Sequence, residues 1–357
     1  MNPAARDLRR FAPALIRWQL ESGRHGLPWQ GTRDPYRVWL SEIMLQQTQV
    51  AAVIGYYDRF LQRFPDVRSL AAASADEVMA LWSGLGYYSR ARNLYRCAQQ
   101  VGDAHGGEFP ARAAELEQLP GIGASTAAAI AAFCHGERIS IADGNVRRVL
   151  SRLLAFDGDL SASGPQREMW DLAQSLLPTS PSPEDMVAYT QGLMDLGSGV
   201  CTRTRPACEK CPVSDLCAAK LQGTTERYPV KTRKVARRHE SWWLLVLRRR
   251  LAGGSGQVWL ERRPAKGIWA GLFCVPVLAD EAAAFVAAGV QPAAAQALPA
   301  VAHALTHREL RLHPLLVDVP PGKAWQASAE GQWVAFDRLA DFGLPTPVRA
   351  LLEHLPD

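Results

Sequence analysis

Apolar residues recur at helical spacing from the start of the chain to about residue 222. The clearest repeats are Leu8, Phe11, Leu15 and Trp18, then Tyr36, Trp39, Ile43, Val50, Val53 and Tyr57, and then Leu70, Val78 and Leu81. Gly and Pro residues interrupt this pattern at 26–28, 106–107 and 178–183. The pattern therefore predicts an all-α region.

The pattern changes towards the C-terminus. Short apolar runs of strand length occupy 242–247, 258–260, 275–277, 310–319 and 333–336, and 282–288 is predicted to be a helix. We therefore expect a multidomain chain: a mainly all-α domain over 1–224, a basic linker over 225–239 and a smaller α/β domain over 240–357. A length of 357 residues agrees with more than one domain.

Positive charge is concentrated in one segment. The formal net charge is only +5, yet Arg227 to Arg250 contains nine Lys or Arg and one acid, Glu240. Such a segment suits a polyanionic partner, and a solvated basic linker is the alternative. No apolar stretch approaches the roughly 18 residues of a membrane span, and the N-terminus has no signal-peptide core. We therefore expect a cytoplasmic protein without a membrane partner.

Four of the seven cysteines lie within 17 residues, at Cys201, Cys208, Cys211 and Cys217. Four thiolates this close can hold one tetrahedral metal ion or one iron–sulfur cluster. Zinc ribbons usually supply two separated CxxC pairs, whereas this segment contains one. The uneven spacing therefore favours a 4Fe–4S cluster, with zinc as the alternative.

The motif LPGIG at 119–123 separates two helix-favouring segments. Pro120 ends the first segment, Gly121 and Gly123 permit a tight turn, and an Ala-rich run begins the second. Backbone N–H groups at the turn and at the second helix's N-terminus then form a phosphate site. This pattern is typical of a helix-hairpin-helix that grips a DNA backbone, and a plain joint between helices is the alternative.

Two carboxylates are candidates for chemistry. Asp143 precedes a helix predicted to begin near Val146, so it is either the N-cap or faces the partner of the hairpin. Glu42 lies among Trp, Ile, Met and Leu on a predicted helix, where Glu42, Gln46 and Gln49 share a polar stripe. Such surroundings are expected to raise the pKa of Glu42, as a general acid requires. The alternative is an exposed helical Glu.

Together these motifs resemble the helix-hairpin-helix DNA glycosylase superfamily, and specifically the MutY-type adenine DNA glycosylases, over nearly the whole chain. The motifs are LPW (27–29), SEIMLQQTQV (41–50), GLGYYSRARNL (84–94), LPGIGASTAAAI (119–130), ADGNVRRVLSR (142–152), MDLGSGVC (194–201) and the cysteine array. The family excises adenine mispaired with 8-oxoguanine or guanine. The resemblance therefore implies base-excision repair on double-stranded DNA by a monomeric, nucleoid-associated enzyme.

The resemblance also implies roles for individual residues. Glu42 matches the acid that protonates the flipped adenine and helps to activate water, and Asp143 matches the carboxylate that stabilises an oxocarbenium-like sugar. Asn145 matches a polar residue that supports this site. The other matches are Gln47 and Tyr87, which enter the helix near the lesion; Trp29, Leu45 and Gln191, which line the adenine pocket; and Gly121 and Gly123 in the DNA-binding hairpin.

Endonuclease III-type relatives use a hairpin lysine as a Schiff-base nucleophile, and Ser125 occupies that position. Without an amine there, β-lyase activity should be weak or absent, so the enzyme is expected to be monofunctional. Some MutY-type enzymes have Tyr at this position, and any role of that Tyr is missing. A thymine- or oxidised-pyrimidine-specific glycosylase and a non-catalytic DNA-binding iron–sulfur protein remain the alternatives.

The C-terminal part resembles the family's 8-oxoguanine-recognition domain, which is related to Nudix hydrolases. The likeness lies in KGIWAGLFCVP at 266–276, whereas 279–285 lacks the glutamate-rich helix that holds Mg²⁺ in a Nudix enzyme. We therefore expect this domain to bind and not to hydrolyse. The lesion-reading loop matches Leu305, Thr306 and His307, in which Thr306 retains a hydroxyl and His307 an imidazole.

Overall fold

The computed structural model describes residues 7–232, 236–251, 256–320 and 331–356. By their contacts the residues form two compact units, one of Met1–Ala71 and Arg96–Lys234 and one of Ala72–Tyr95 and Val235–Asp357. Residues 72–95 thus group with the second unit, although the sequence analysis assigned them to the N-terminal domain. The predicted domain boundaries stay predictions, and residues 233–235 of the basic linker lie outside the described residues.

Up to residue 232 the described chain is helical, as its apolar periodicity predicts. Its helices are α1 (Phe11–Ser22), α2 (Pro35–Leu45), α3 (Val50–Arg63), α4 (Val67–Ala72), α5 (Ala75–Trp82), α6 (Ser89–Ala104), α7 (Ala113–Leu116), α8 (Ala124–His135), α9 (Gly144–Leu154), α10 (Ser163–Ser175), α11 (Pro183–Asp195) and α12 (Ala218–Leu221). A π-helical turn, Leu196–Val200, extends α11 to Cys201. Within the described residues no helix is long and apolar enough to cross a membrane.

The predicted polar stripe of Glu42, Gln46 and Gln49 is wrong, because α2 ends at Leu45. Gln47 has a left-handed backbone, with φ of 58°, and the Thr48 N–H donates to the Leu45 carbonyl in a turn. Helix α3 then begins at Val50. The apolar repeat continues across the break because both helices contribute to the core, so periodicity alone did not reveal the turn.

Helices α1, α8, α9 and α11 pack around one apolar core. Phe11 of α1 meets Tyr189 of α11 edge to face, with ring centroids 6.3 Å apart. Ala128, Ala129 and Ala132 of α8 are fully buried in the same core. Small side chains here let neighbouring helices approach closely, which explains why the segment after the hairpin is rich in alanine.

The C-terminal part is built on one mixed sheet, as expected for an α/β domain. Its strands are β1 (Arg238–Arg249), β2 (Gln257–Arg262), β3 (Phe273–Cys274), β4 (Val277–Leu278), β5 (Gln296–Ala297), β6 (Val301–Ala304), β7 (Arg308–Asp318) and β8 (Gly331–Ala335). Strands β1 and β7 pair in parallel, from Arg238 opposite Arg308 to Arg248 opposite Asp318, and the other pairs are antiparallel. Helices α13 (Glu281–Ala288) and α14 (Thr346–Glu353) complete it.

Residues 72–95 are tied to the C-terminal elements of the same unit by polar contacts. The Arg262 guanidinium forms two hydrogen bonds with the Asp76 carboxylate, at 2.8 and 2.7 Å. The Tyr88 hydroxyl donates to the Leu344 carbonyl at 2.9 Å, and Arg92 Nη1 donates to the Ala270 carbonyl at 2.8 Å. These bonds fix the segment around Tyr88 beside the turn that contains Ala270.

Candidate active site

A cavity of ≈ 440 Å³ in the helical unit brings together four residues that the sequence singled out: Glu42, Trp29, Leu45 and Gln191. Its walls come from α1, the loop before α2, α2 itself, the start of α3, α8 and α11. Trp29 is only 9% exposed and packs edge to face on Tyr57, with centroids 5.5 Å apart. The volume lies within the range of about 300–1,000 Å³ that is typical of ligand pockets.

Glu42 lies in the last turn of α2, whose start is fixed by the Asp34 N-cap and by Pro35. It is half-buried and lines the cavity. Burial raises the pKa of Glu42 to about 8, and the negative charge of Asp143 adds to the rise. Glu42 therefore carries a proton at neutral pH, and it is not the exposed helical Glu of the alternative interpretation.

Asp143 is the N-cap of α9, which begins at Gly144 and so slightly earlier than predicted. Its Oδ1 accepts from the N–H groups of Asn145 and Val146, at 3.0 and 2.8 Å. Both bonds use Oδ1, which leaves Oδ2 for a further partner. Asp143 is therefore the N-cap, and its charge also acts on Glu42, although Asp143 does not belong to the cavity lining. That Asp143 faces the partner of the hairpin stays a prediction.

The predicted hairpin is formed by the turn between α7 and α8. Gly121 has a left-handed backbone, with φ of 79°, that a side chain would strain. Gly123, the N-cap of α8, has an ordinary φ of −93°, and a Cβ built there meets no atom within 4 Å. Ser125 Oγ accepts from the Ala142 N–H at 3.1 Å. This bond joins the hairpin to the residue before Asp143.

Gln47 and Tyr87 are both exposed and both have a left-handed backbone, with φ of 58° and 48°. Such a conformation costs a residue other than glycine about 1–2 kcal/mol. Strained residues are concentrated at binding and catalytic sites. The Arg90 guanidinium lies 5.5 Å from the centroid of the Tyr87 ring and 5.2 Å from that of Trp82. The Arg90 guanidinium therefore packs near the ring of Tyr87, the residue that the resemblance places in the DNA helix near the lesion.

A second cleft, of ≈ 560 Å³, lies within the other unit. One wall is formed by residues 86–89 and Arg92, and the others by the turn at 267–270 and by residues 303–308. Thr306 and His307 are exposed in the turn between β6 and β7 and line this cleft. The predicted lesion-reading loop and Tyr87 therefore face the same cleft.

The four clustered cysteines line a common cavity beside α9. Arg152 Nη1 donates to Cys201 Sγ at 3.3 Å, which suits a thiolate ligand. Within the described ranges no three His, Cys, Asp or Glu side chains converge as one metal ion requires. A 4Fe–4S cluster is held by four cysteine thiolates. Cys201, Cys208, Cys211 and Cys217 line one cavity and supply that ligand set.

Asn145 is exposed and does not belong to the cavity lining, but it contacts the cluster side of the site. Its Oδ1 accepts from Arg148 Nη2 at 3.1 Å, and Arg148 Nε donates to the Cys201 carbonyl at 2.9 Å. Sequence reasoning missed Arg148 and also the buried Asp195, which contacts Gln191. The signal that could have identified Asp195 is a charged residue within the apolar segment before Cys201.

Family models match three parts of the chain. Residues 40–175 match the HhH-GPD superfamily of base excision DNA repair proteins, residues 201–217 match the iron-sulfur binding domain of endonuclease III, and residues 249–354 match the NUDIX domain. These matches confirm the predicted helix-hairpin-helix architecture, the iron–sulfur cofactor and the Nudix-like domain.

Individual proteins are similar over the same parts. The adenine DNA glycosylase of Buchnera aphidicola subsp. Acyrthosiphon pisum is 32% identical over 348 residues, which are 96% of this chain and 97% of that protein. The adenine DNA glycosylase of Rattus norvegicus is 44% identical over 60% of this chain and 42% of its own length. The structure of a thermostable thymine-DNA glycosylase matches 61% of this chain and 99% of its own, with a TM-score of 0.53 and 27% identity.

Proposed function

Since this chain belongs to the adenine DNA glycosylase family and is an adenine DNA glycosylase of base excision repair, we propose that it removes adenine mispaired with 8-oxoguanine or guanine. The observation that carries the proposal is the raised pKa of Glu42, about 8, in a cavity that also contains Trp29 and Gln191. A protonated acid beside a purine-sized site is what acid-assisted glycosidic cleavage requires.

The reaction begins when the adenine leaves the stack and enters the cavity, because its glycosidic bond is inaccessible inside the duplex. Glu42 donates its proton to the base, which makes the base a better leaving group. As the bond breaks, positive charge develops on the sugar, and the Asp143 carboxylate stabilises it. Glu42, now ionised, accepts a proton from the water that attacks C1′.

We propose that cleavage stops at base removal. A lyase reaction needs an amine that attacks the sugar, and the hairpin position of that amine is Ser125. Its hydroxyl is engaged by the Ala142 N–H at 3.1 Å and has no comparable nucleophilicity at neutral pH. The product is therefore an abasic site in an intact strand.

The Nudix-like domain is proposed to recognise 8-oxoguanine. Thr306 and His307 offer a hydroxyl and an imidazole in the cleft that Tyr87 also lines. A hydroxyl both donates and accepts, so Thr306 suits the N7–H and the O8 carbonyl by which 8-oxoguanine differs from guanine. Hydrolysis is not expected from this domain, since residues 279–285 lack the acidic set that holds Mg²⁺ in Nudix enzymes.

The DNA backbone is proposed to bind at the hairpin and at the cluster loop. The hairpin offers backbone N–H groups at the start of α8, and the loop exposes Arg203, Arg205 and Lys210. Cys201, Cys208, Cys211 and Cys217 would hold the cluster, and a bound cluster would cross-link this loop. We propose further that the protein binds one lesion as a monomer and associates with the nucleoid.

Base release from matched duplexes tests this function. Adenine opposite 8-oxoguanine should be released fastest, adenine opposite guanine more slowly, and adenine opposite thymine hardly at all. Thymine opposite guanine and duplexes with oxidised pyrimidines test the alternative glycosylase specificities. Release of a pyrimidine in place of adenine would contradict the proposal, and so would DNA binding by folded, cluster-loaded protein without any base release.

A further inference from the structure

Asp195 is a buried carboxylate that the mechanism above does not use. It lies at the end of α11, 4% exposed, and it accepts three hydrogen bonds. Its Oδ1 accepts from Arg24 Nε at 2.7 Å and from Gln191 Nε2 at 2.8 Å, and its Oδ2 accepts from the Arg24 N–H at 2.9 Å. Arg24 is held in turn, because its carbonyl accepts from Gln30 Nε2 at 2.9 Å.

This arrangement determines which way the Gln191 amide points. An amide has a donor end and an acceptor end, and rotation by 180° exchanges them. An ionised carboxylate only accepts, so the NH₂ end must face Asp195. The carbonyl Oε1 and the second N–H of Gln191 then remain available side by side to a base in the cavity, as an acceptor next to a donor.

Adenine has the complementary edge. At the edge formed by N6 and N1, its exocyclic amine donates and its ring nitrogen N1 accepts. An amide can pair with this edge through two hydrogen bonds, as Gln does with N6 and N7 of adenine in duplex DNA. Hypoxanthine and guanine have a carbonyl at C6 and an N–H at N1. They would therefore place an acceptor opposite the Gln191 Oε1 and a donor opposite the Gln191 N–H, and both contacts would be repulsive. A rotated amide would accept these bases, and Asp195 prevents that rotation.

We propose that Asp195, fixed by Arg24, is a positioning residue that sets the polarity of Gln191 and so makes the cavity selective for 6-aminopurines over 6-oxopurines. This inference rests on the proposed function, because it assumes that the adenine enters the cavity. It adds a residue outside the reacting groups that decides which base is released. Asp195 itself does not touch the base.

Single-turnover base release tests the proposal. Duplexes carry adenine, unsubstituted purine or hypoxanthine opposite 8-oxoguanine, and the enzymes are wild type, Gln191→Met, Asp195→Asn and the double variant. Dividing each rate by the Gln191→Met rate on the same base removes the intrinsic reactivity of that base. For adenine, the wild-type rate should be roughly ten times the Gln191→Met rate, which is the size of a good two-bond contact. For hypoxanthine, the wild-type rate should be below the Gln191→Met rate.

Asp195→Asn should reduce the rate on adenine, relative to Gln191→Met, several-fold. The same relative rate should change less on unsubstituted purine and should rise on hypoxanthine. In the Gln191→Met background, Asp195→Asn should leave the order of base preference unchanged, since there is no amide to orient. Thr190→Val, which removes a neighbouring buried hydroxyl without a hydrogen bond among the described residues, is the matched control and should keep wild-type preference.

Equal slowing of all three bases by Asp195→Asn would overturn the proposal, because a purely structural residue acts that way. A preference change of the same size in the Gln191→Met background would also overturn it. If Asp195→Asn does not fold, Arg24→Lys, at a partly exposed side chain, should narrow the adenine-to-hypoxanthine preference, and an unchanged preference would contradict the inference. Absence of adenine release by wild type would instead refute the proposed function.

Discussion

The negative charge of Asp143 adds to burial in raising the pKa of Glu42, which reaches about 8. The two carboxyl groups come from different elements, since Glu42 ends α2 and Asp143 caps α9. Two acids that share a site do not ionise independently, because the first charge opposes the second. The proton therefore stays on Glu42, which is the group that donates it in the proposed mechanism.

The rate of adenine release should fall as the pH rises through about 8, because Glu42 must be protonated to act. Asp143→Asn should lower the overall rate and also move this alkaline limb to lower pH, since one of the two causes of the raised pKa is removed. Single-turnover rates between pH 6 and pH 10 measure both effects. An alkaline limb at the same pH in Asp143→Asn would contradict the electrostatic coupling.

Glu42 should also make stability depend on pH. Its pKa is about 8 in the folded protein and 4.5 as an ordinary Glu, so the folded state binds the proton more tightly. The stability that Glu42 contributes is therefore fully present below about pH 4.5 and is lost as the pH rises through about 8. Glu42→Gln should gain a few kcal/mol over the wild type between pH 5 and pH 9. Urea unfolding of both proteins at pH 5 and at pH 9 measures this gain. If the free energies of unfolding of Glu42→Gln and wild type differ by the same amount at both pH values, the prediction is refuted.

The two hairpin glycines should respond differently to alanine. Gly121→Ala should lower the free energy of unfolding by about 1–2 kcal/mol, because its φ is 79°. Gly123→Ala should leave stability within about 0.5 kcal/mol, since its Cβ meets no atom within 4 Å, yet weaken duplex binding roughly tenfold by obstructing the phosphate. Urea unfolding and fluorescence-anisotropy titration measure the pair. Unchanged DNA affinity in Gly123→Ala would argue against a phosphate at this position.

Thr306→Ala and His307→Ala should reduce the preference for adenine opposite 8-oxoguanine over adenine opposite guanine. Each lost hydrogen bond should narrow the rate ratio by roughly fivefold to tenfold. The rate on adenine opposite guanine is the internal control and should stay near the wild-type value. Equal losses on both duplexes would show that the turn between β6 and β7 supports folding or general binding and does not read the lesion.

The residues to which the proposed mechanism and the cluster assign roles were the most predictable from sequence. Glu42 was identified by a carboxylate among large apolar neighbours, and the four cysteines by their spacing. The turn at Gln47 was not predictable, because the apolar repeat continues through it. The parallel pairing of β1 with β7 joins residues 70 positions apart, such as Arg238 and Arg308, which no local pattern encodes. The role of Asp195 depends on contacts across the fold and was missed for the same reason.

Release of adenine from a duplex with adenine opposite 8-oxoguanine, by wild type and by Glu42→Gln, tests the central claim most directly. Glu21→Gln is the matched control, since Glu21 is an exposed helical carboxylate outside the cavity lining. Wild type and the control should release adenine and break the strand only after alkali, whereas Glu42→Gln should be slower by roughly 10²–10⁴-fold. Near-wild-type release by Glu42→Gln, or none by folded, cluster-loaded wild type, would contradict the account.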